Sequence, residues 1–354
     1  MNTPVDTGFD PGTQEAAPDV LSGRLAAVLS EVRVEPGCRS ATVWGRTVTA
    51  DSPRALTGQL ATALYSVVHV GRPATEPAPD RNTSEARDLE PGLARGVPHR
   101  HTRHRGALLG EREDGSVVVG LSGVRVRVPR DRVTVLREPA AGAPQGQDDD
   151  AEVTVAAARP SLSPGFFLVD GSLPLTPHEA ILRVYVHVET AEAALDAWAR
   201  ILRRLEGLGV PYRAKAASFA HALPRRDGVV IYLGSGDRHV LPDLAKALEG
   251  ADLGADASPF TRPLAPGVAV AWEPDDPRPG MRNTSFGEHR ARALAAGVVR
   301  YVTDRTTDPD GPRAQWPAVV RQALLDAGVD PLDPARNLSS PPFAPTGSDG
   351  RPGF

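Results

Sequence analysis

The chain has 354 residues, 40% of them hydrophobic, and a formal net charge of −4. That length furnishes one large or two ordinary domains with a sizeable core, and the negative balance supplies no global field to attract nucleic acid. No apolar run approaches the roughly 20 residues that span a bilayer, and the start, MNTPVDTGFDPGTQEAAPD, is acidic and rich in turn residues where a secretory leader would be basic and then apolar. A cytoplasmic protein with neither membrane nor nucleic acid as partner is expected. The single cysteine, Cys38, excludes an internal disulfide and a thiolate metal cluster.

In chain order, residues 1–18 carry turn formers without apolar periodicity and read as a flexible tail. LSGRLAAVLSEVRVE (21–35) and SPRALTGQLATALYSVVHV (52–70) space apolar residues by three and four and predict helices. The second opens on Ser52 with Pro53 as its first residue. A polar loop follows over 71–94. SVVVGLSGVRVRVPRDRVTVL (116–136) alternates around a Leu121-Ser122-Gly123 turn and predicts a hairpin. Together 19–139 form a helical and β-hairpin region suited to binding a peptide or partner, and the small, Pro/Gln/Asp-rich stretch over 140–158 reads as a linker.

From 159 to 335 the pattern is mixed α and β. Strands are predicted at 163–172, 181–190, 210–218, 228–234 and 265–274, and helices at 190–209, 238–251, 285–299 and 312–329. The 190–209 helix has Thr190 as N-cap and Gly207 or Gly209 as its stop. Residues 336–354 read as a second tail. The fold class is therefore α+β: a helical and hairpin N-terminal region, then a mixed-sheet domain with flanking helices.

Two of the 40 basic residues are lysine, Lys215 and Lys246, and the rest are arginine. Arginine keeps its proton, whereas lysine can lose it and act as a base, so Lys215 in RAKAAS is either chemistry or an accident of an arginine-rich composition. On the strand 181–190, alternation puts Arg183, Tyr185 and His187 on one face. A helical crossover joins that strand to VPYRAKAAS. As sheet neighbours, the two strands would turn His187 and Lys215 toward one site, with Arg213 pointing the same way as Lys215. In MRNTSFGEHRARAL, Ser285 and Glu288 fit a capping box, leaving a helix N-terminus exposed to an anion with Arg282, His289 and Arg290 around it. Arg225 and Arg226 precede the buried strand GVVIYLG, where a guanidinium suits phosphate oxygens. Taken singly, each of these residues reads as an ordinary surface or sheet side chain.

His99, His101 and His104 in HRHTRHR have metal-like spacing, but interleaved arginines and the lack of a nearby acid argue against a metal. A basic loop that engages a phosphorylated or acidic peptide, or a solvated loop, is the reading there. The basic arm 125–137 lacks the interleaved aromatics of a nucleic-acid binder.

At SPGFFLVDGS, RVYVHV, GVPYRAKAAS, PRRDGVVIYL and RNTSFGEHRARAL, in that order, the sequence resembles the Hop-type family of bacterial type III effector-like proteins. Members occur as stand-alone lyases in class V lanthipeptide and thioamitide gene clusters. It is more remotely similar to effector phosphothreonine lyases and to the lyase domains of other lanthipeptide synthetases. The resemblance covers about 160–300, with SFGEHR its most specific part, and fits the N-terminal half more loosely.

The resemblance implies a phosphoserine/phosphothreonine lyase that eliminates phosphate from a precursor peptide to give dehydroalanine or dehydrobutyrine. It implies no cofactor or metal, and a separate kinase as partner. His187 falls on the general acid of the remote relatives' Lys-x-His motif and Lys215 on the general base, while Tyr185 replaces the motif's lysine, a loss for which Arg183 or Arg213 would compensate. Arg225 or Arg226, and then Arg282 or Arg290, fall on phosphate-binding arginines. Lys215 must be neutral to take the α-proton, a state favoured by burial and by the neighbouring Arg213. The rival readings are a non-catalytic phosphopeptide-binding or scaffold subunit of the kinase complex, and a type III secreted effector.

Overall fold

The structure is a computed structural model that describes residues 20–73, 87–136, 151–159, 162–176, 179–281, 284–307 and 315–343. The tail expected at 1–18, and Arg282, lie outside the described residues. Helix α1 (Gly23–Ser30) starts at Ser22, whose hydroxyl accepts from the Leu25 N–H, and stops sooner than expected. The alternating Val32-Arg33-Val34 that follows is strand β1 (Val32–Val34), paired in a small antiparallel sheet with β2 (Ser40–Val43) and β3 (Arg46–Thr49). Helix α2 (Pro53–Leu64) begins as predicted, Ser52 capping the Ala55 N–H, and runs into a π-helical turn over Tyr65–Val70. The turn ends at Gly71, where φ is +86° and a Cβ would stand 3.1 Å from the Arg226 side chain. Glycine is needed there for both conformation and clearance. The expected polar loop closes with a short helix, α3 (Glu90–Gly96).

HRHTRHR is not a loop. His101 opens the long strand β4 (His101–Glu111), because a run of alternating buried and exposed residues, with Thr102 and Gly106 inward, is better satisfied as a strand. With β5 (Val117–Leu121), β6 (Val124–Val128), β7 (Val133–Val135) and β8 (Ala151–Ala156) it forms a five-stranded antiparallel sheet in the order β6-β5-β4-β8-β7. The hairpin predicted at 116–136 is β5–β6. The sheet has its own apolar cluster around Val117, Val119, Val128, Val133, Ala151 and Val153. Thus the end of the stretch read as a linker, 140–158, holds a strand, and 137–150 lie outside the described residues.

The remaining elements build the sheet that carries the site. They are β9 (Phe166–Asp170), β10 (Ile181–Val188), α4 (Ala191–Leu208), β11 (Tyr212–Ala217), β12 (Arg225–Gly234), α5 (Leu241–Ala247), β13 (Arg262–Ala265), β14 (Val268–Trp272), α6 (Phe286–Thr307) and α7 (Trp316–Asp326). The six strands run β13-β14-β10-β12-β11-β9, and every pairing is antiparallel. The expectation that β10 and β11 are neighbours is overturned, because β12 lies between them. Its run Val229-Val230-Ile231, buried on both faces, belongs at the sheet centre, and a short turn after β11 delivers it there as a hairpin.

Helix α4 lays Ala197, Trp198, Ile201, Leu202 and Leu205 on one face of this sheet. Each fully buried aliphatic contributes about 1.5–3 kcal/mol. The other face is covered by α6, α2 and the π-helical turn. One continuous core joins Leu21, Leu25, Leu56, Leu60 and Leu64 to the sheet and to Phe286, Leu294 and Val298. Of the stretch read as a tail, 336–354, the described part 336–343 includes Phe343, which is buried and stacked on Trp272 with ring centroids 5.9 Å apart.

Candidate functional site

Antiparallel pairing puts directly opposed residues on the same face. Two rows cross the sheet on the α6 side. In one, Arg183, Tyr232, Arg213 and Asp170 stand in line; in the other, Tyr185, Val230, Lys215 and Leu168. His187 is two residues farther along β10. Beyond Val229, strand β12 bulges, so that Arg226, Asp227 and Gly228 together oppose His187 between the pairs Val186/Val229 and Val188/Arg225. Bulges re-aim side chains at functional sites, and this one turns the Arg-Arg-Asp run into the space above Lys215 and His187. Because β12 intervenes, Tyr185 and Lys215 are two strand spacings apart, about 10 Å.

The π-helical turn, the start of α6 and the loop after Gly254 close over these rows. His69 is buried among Tyr65, Tyr185, Phe260 and Phe286, with its ring edge-on to Tyr185 at 5.3 Å and 88°. Its Nδ1 is 3.0 Å from the Ser258 hydroxyl, and its Nε2 is 4.0 Å from an Asp227 carboxylate oxygen. Burial pushes its pKa down to about 4, against the pull of Asp227 and with help from Arg225, Arg183 and Lys215. His69 is neutral at ordinary pH.

The cations of this face fall into two groups. Arg183 pairs with Glu273 and lies over the Tyr232 ring. Arg213 donates to Asp170 at 2.6 Å, a carboxylate that Arg159 shares at 3.1 Å. Arg225 grips Asp227 through two bonds of 2.8 and 2.9 Å. Arg226 pairs with Asp256 and donates to the carbonyls of Val67 and Val68, at 3.3 and 3.0 Å. Burial by itself would raise the Asp227 carboxyl, but Arg225, which is bonded to it, outweighs burial with help from Lys215 and holds the group at about 2. Lys215 differs from all four arginines. Its Nζ sits 4.3 Å above the Phe166 ring, which also carries Arg225 at 5.2 Å, and among the described residues no carboxylate lies within ion-pair distance of it.

His187 is buried, with Nδ1 held 2.8 Å from the Asp256 carboxylate and 3.1 Å from its carbonyl. Gly254 makes room for its ring, since a Cβ there would lie 2.2 Å away. The Tyr185 hydroxyl accepts from Arg183 at 3.4 Å; burial, opposed by Arg183, raises its pKa and keeps the phenol protonated. The Ser285–Glu288 capping box forms as expected, with bonds of 3.2 and 3.4 Å.

His289 and Arg290 are not at an open helix end. His289 is fully buried with Nε2 2.9 Å from Asp276, and Arg290 is enclosed, donating to Pro334 and Arg336 carbonyls, Asn337 and His289. They fasten α6 to the C-terminal segment, apart from Lys215. The histidines of HRHTRHR disperse too. His99 reaches the Asp170 carbonyl at 2.9 Å, His101 and His104 lie on opposite faces of β4, and the described residues contain no group able to hold a metal.

Sequence reading missed His69, Asp227, Asp256, Ser258 and Glu273. Asp227 was legible as the acid directly after the arginine pair in PRRDG. His69 carried a fainter mark, a polar residue closing an otherwise apolar run before Gly71. The other three are brought in by loops and leave no local trace.

These features define a class: an α+β protein whose antiparallel sheet presents a lysine and buried histidines among paired arginines. A family model described as the HopA1 effector protein family matches residues 157–336, half of the chain. The chain belongs to the HopA1 effector protein family. Among solved structures it is similar to the effector protein from Pseudomonas syringae pv. syringae strain 61, at 14% identity and a TM-score of 0.36, over 49% of this chain and 62% of that one. It is also similar to the effector protein from Pseudomonas syringae pv. tomato strain DC3000, at 12% identity and a TM-score of 0.41, over 79% of this chain and 97% of that one. No curated protein matches the chain. Within the described residues no helix is long and apolar enough to cross a membrane.

Proposed function

We propose that this protein is a phosphoserine/phosphothreonine lyase that acts on a ribosomal precursor peptide, phosphorylated beforehand by a separate kinase, in lanthipeptide-type biosynthesis. The observation that carries the reading is the isolation of Lys215, which among the described residues has no carboxylate partner, beside Arg183, Arg213, Arg225 and Arg226, which are all paired. A lysine used for structure would share their arrangement. One used as a base must be free to lose its proton.

In the proposed reaction, neutral Lys215 takes the α-proton of the phosphorylated residue. The electron pair of that C–H bond becomes the second bond between Cα and Cβ, the Cβ–O bond breaks, and phosphate departs. His187, oriented by Asp256 at Nδ1, gives its Nε2 proton to the departing phosphate oxygen. Arg213, Arg225 and Arg226 supply positive charge along the same face, and a phosphate dianion would compete with Asp170, Asp227 and Asp256 for their guanidinium groups. Arginine suits this role because it neutralises charge without taking the proton meant for lysine. The product is dehydroalanine from serine or dehydrobutyrine from threonine, and the groups named need no cofactor.

The test is a phosphothreonine peptide incubated with the purified protein alone and followed by mass spectrometry. Loss of phosphoric acid is expected from the native chain, falling by roughly 10²–10⁴-fold in Lys215→Arg, which keeps the charge and removes the base. A peptide that is bound but unchanged would instead make the protein a phosphopeptide-binding subunit. Full activity in Lys215→Arg would remove Lys215 from the mechanism.

A further inference from the structure

The family match begins at residue 157, yet the site is closed by a segment that precedes it. Tyr65, His69 and the carbonyls of Val67 and Val68 all lie on the π-helical turn, a geometry found frequently at functional sites. The turn is fitted tightly on both sides: a Cβ on Gly71 would press on Arg226, and one on Gly287 would lie 2.1 Å from the His69 ring.

The surroundings of His69 favour one tautomer. The ionised Asp227 carboxylate facing Nε2 can only accept, so the ring proton belongs on Nε2, and Nδ1 then accepts from the Ser258 hydroxyl at 3.0 Å. Asp227 in turn holds Arg225 by two bonds, and Arg225 shares the Phe166 ring with Lys215. A Ser-His-Asp hydrolase reading does not fit. Ser258 is 4% exposed and so out of reach of a substrate, and Asp227 is already occupied by Arg225 and stands 4.0 Å from the imidazole.

We propose that His69 is a positioning residue of the site, supplied from outside the matched family segment: packed between four aromatic rings, it sets its Nε2 edge 4.0 Å from Asp227 and so steadies that carboxylate and the Arg225 guanidinium it holds, which stands with Lys215 on Phe166. The inference rests on the reading of Arg225 and Lys215 as the groups that meet phosphate. Three replacements separate the two edges of the ring. Gln reproduces Nε2 and gives up Ser258, Asn reproduces Nδ1 and gives up Asp227, and Phe keeps the ring packing while losing both.

Inorganic phosphate is titrated into the full chain carrying ¹³C-labelled lysine, and Lys246→Arg identifies the Lys215 signal because the chain has only two lysines. The Lys215 signal is expected to move in the native chain and in His69→Gln at similar phosphate concentrations. In His69→Asn and His69→Phe the required concentration should rise roughly tenfold, about the effect of one lost polar contact to a buried carboxylate. In parallel, kcat for the phosphothreonine peptide should fall in the Asn and Phe variants and recover in Gln. Binding in Asn equal to native, with loss in Gln, overturns the inference, since Ser258 would then be the partner that counts. Should Asn or Phe fail to fold, Ser258→Ala against His69→Gln gives the same comparison, and equal tenfold losses in both overturn it. If the native Lys215 signal ignores phosphate, the functional reading falls and the inference falls with it, whereas a native response that all three variants share removes His69 alone.

Discussion

Tyr185 and Lys215 both pair with Val230, from opposite sides of β12, and so share one row and one face of the central sheet. The tyrosine stands two strands from Lys215. Its hydroxyl accepts from Arg183, which is itself paired with Glu273, so positive charge reaches the row through the phenol's partner and not through the phenol. Tyr185→Phe should therefore lower elimination by only about three- to tenfold, the worth of one long hydrogen bond at 3.4 Å. Initial rates with the phosphothreonine peptide, set beside those of Lys215→Arg, check the ranking.

Asp227 is the buried counter-ion of Arg225, and removing one partner of such a pair strands the other. Asp227→Asn should lower the unfolding free energy by about 3–5 kcal/mol. Replacing both residues by leucine should recover most of that loss in stability while leaving elimination impaired. Urea unfolding of the two variants, with activity measured alongside, separates the fold's need for the pair from the site's.

Two glycines in helices should respond oppositely to alanine. At Gly287 a Cβ would meet the His69 ring at 2.1 Å, so Gly287→Ala should cost about 1–3 kcal/mol as overpacking and should disturb elimination with it. At Gly207, in α4, nothing lies within 4 Å of the added methyl, so Gly207→Ala should raise stability by up to about 1 kcal/mol. Thermal melts of the two variants decide both signs.

Acid should weaken the protein well before Asp227 and Asp276 titrate. Burial holds His69 and His289 at about 4, below the ordinary 6.5, so between those values the unfolded chain binds protons that the folded chain refuses. Stability is then complete above about pH 6.5 and is lost as pH falls toward 4, by roughly 1.4 kcal/mol per pH unit for each histidine. Asp227 and Asp276, both held at about 2, add their own loss only below that window. Urea midpoints at several pH values between 7.5 and 4.5 should show this slope, and His289→Gln should make it shallower.

Much of the local structure was legible in the chain. The Ser52-Pro53 start of α2, the Thr190 cap and Gly209 stop of α4 and the Ser285–Glu288 box are each set by a few adjacent residues. So was the shared face of Arg183, Tyr185 and His187, because strand alternation depends on nothing beyond the strand. The order of strands was not. Neighbourhood in a sheet is a contest among all the strands present, and β12, apolar on both sides, outcompeted β11 for the place beside β10. The strand at HRHTRHR was obscured for a related reason: its exposed arginines looked like a loop until the apolar partners on β5 and β8 were in place.

By itself the sequence determined which residue types were available, including a lysine almost alone among arginines, and which way they point along each strand, since periodicity and capping are properties of neighbouring residues. Only the tertiary structure decided which of them meet. It paired four arginines with acids distant in the chain or across a bulge, left Lys215 without one among the described residues, drew His289 and Arg290 into the interior, and brought His69 from a helix more than a hundred residues upstream to the face of the sheet. Those outcomes depend on how layers pack and which buried charges must be matched, and that information is distributed over the whole chain.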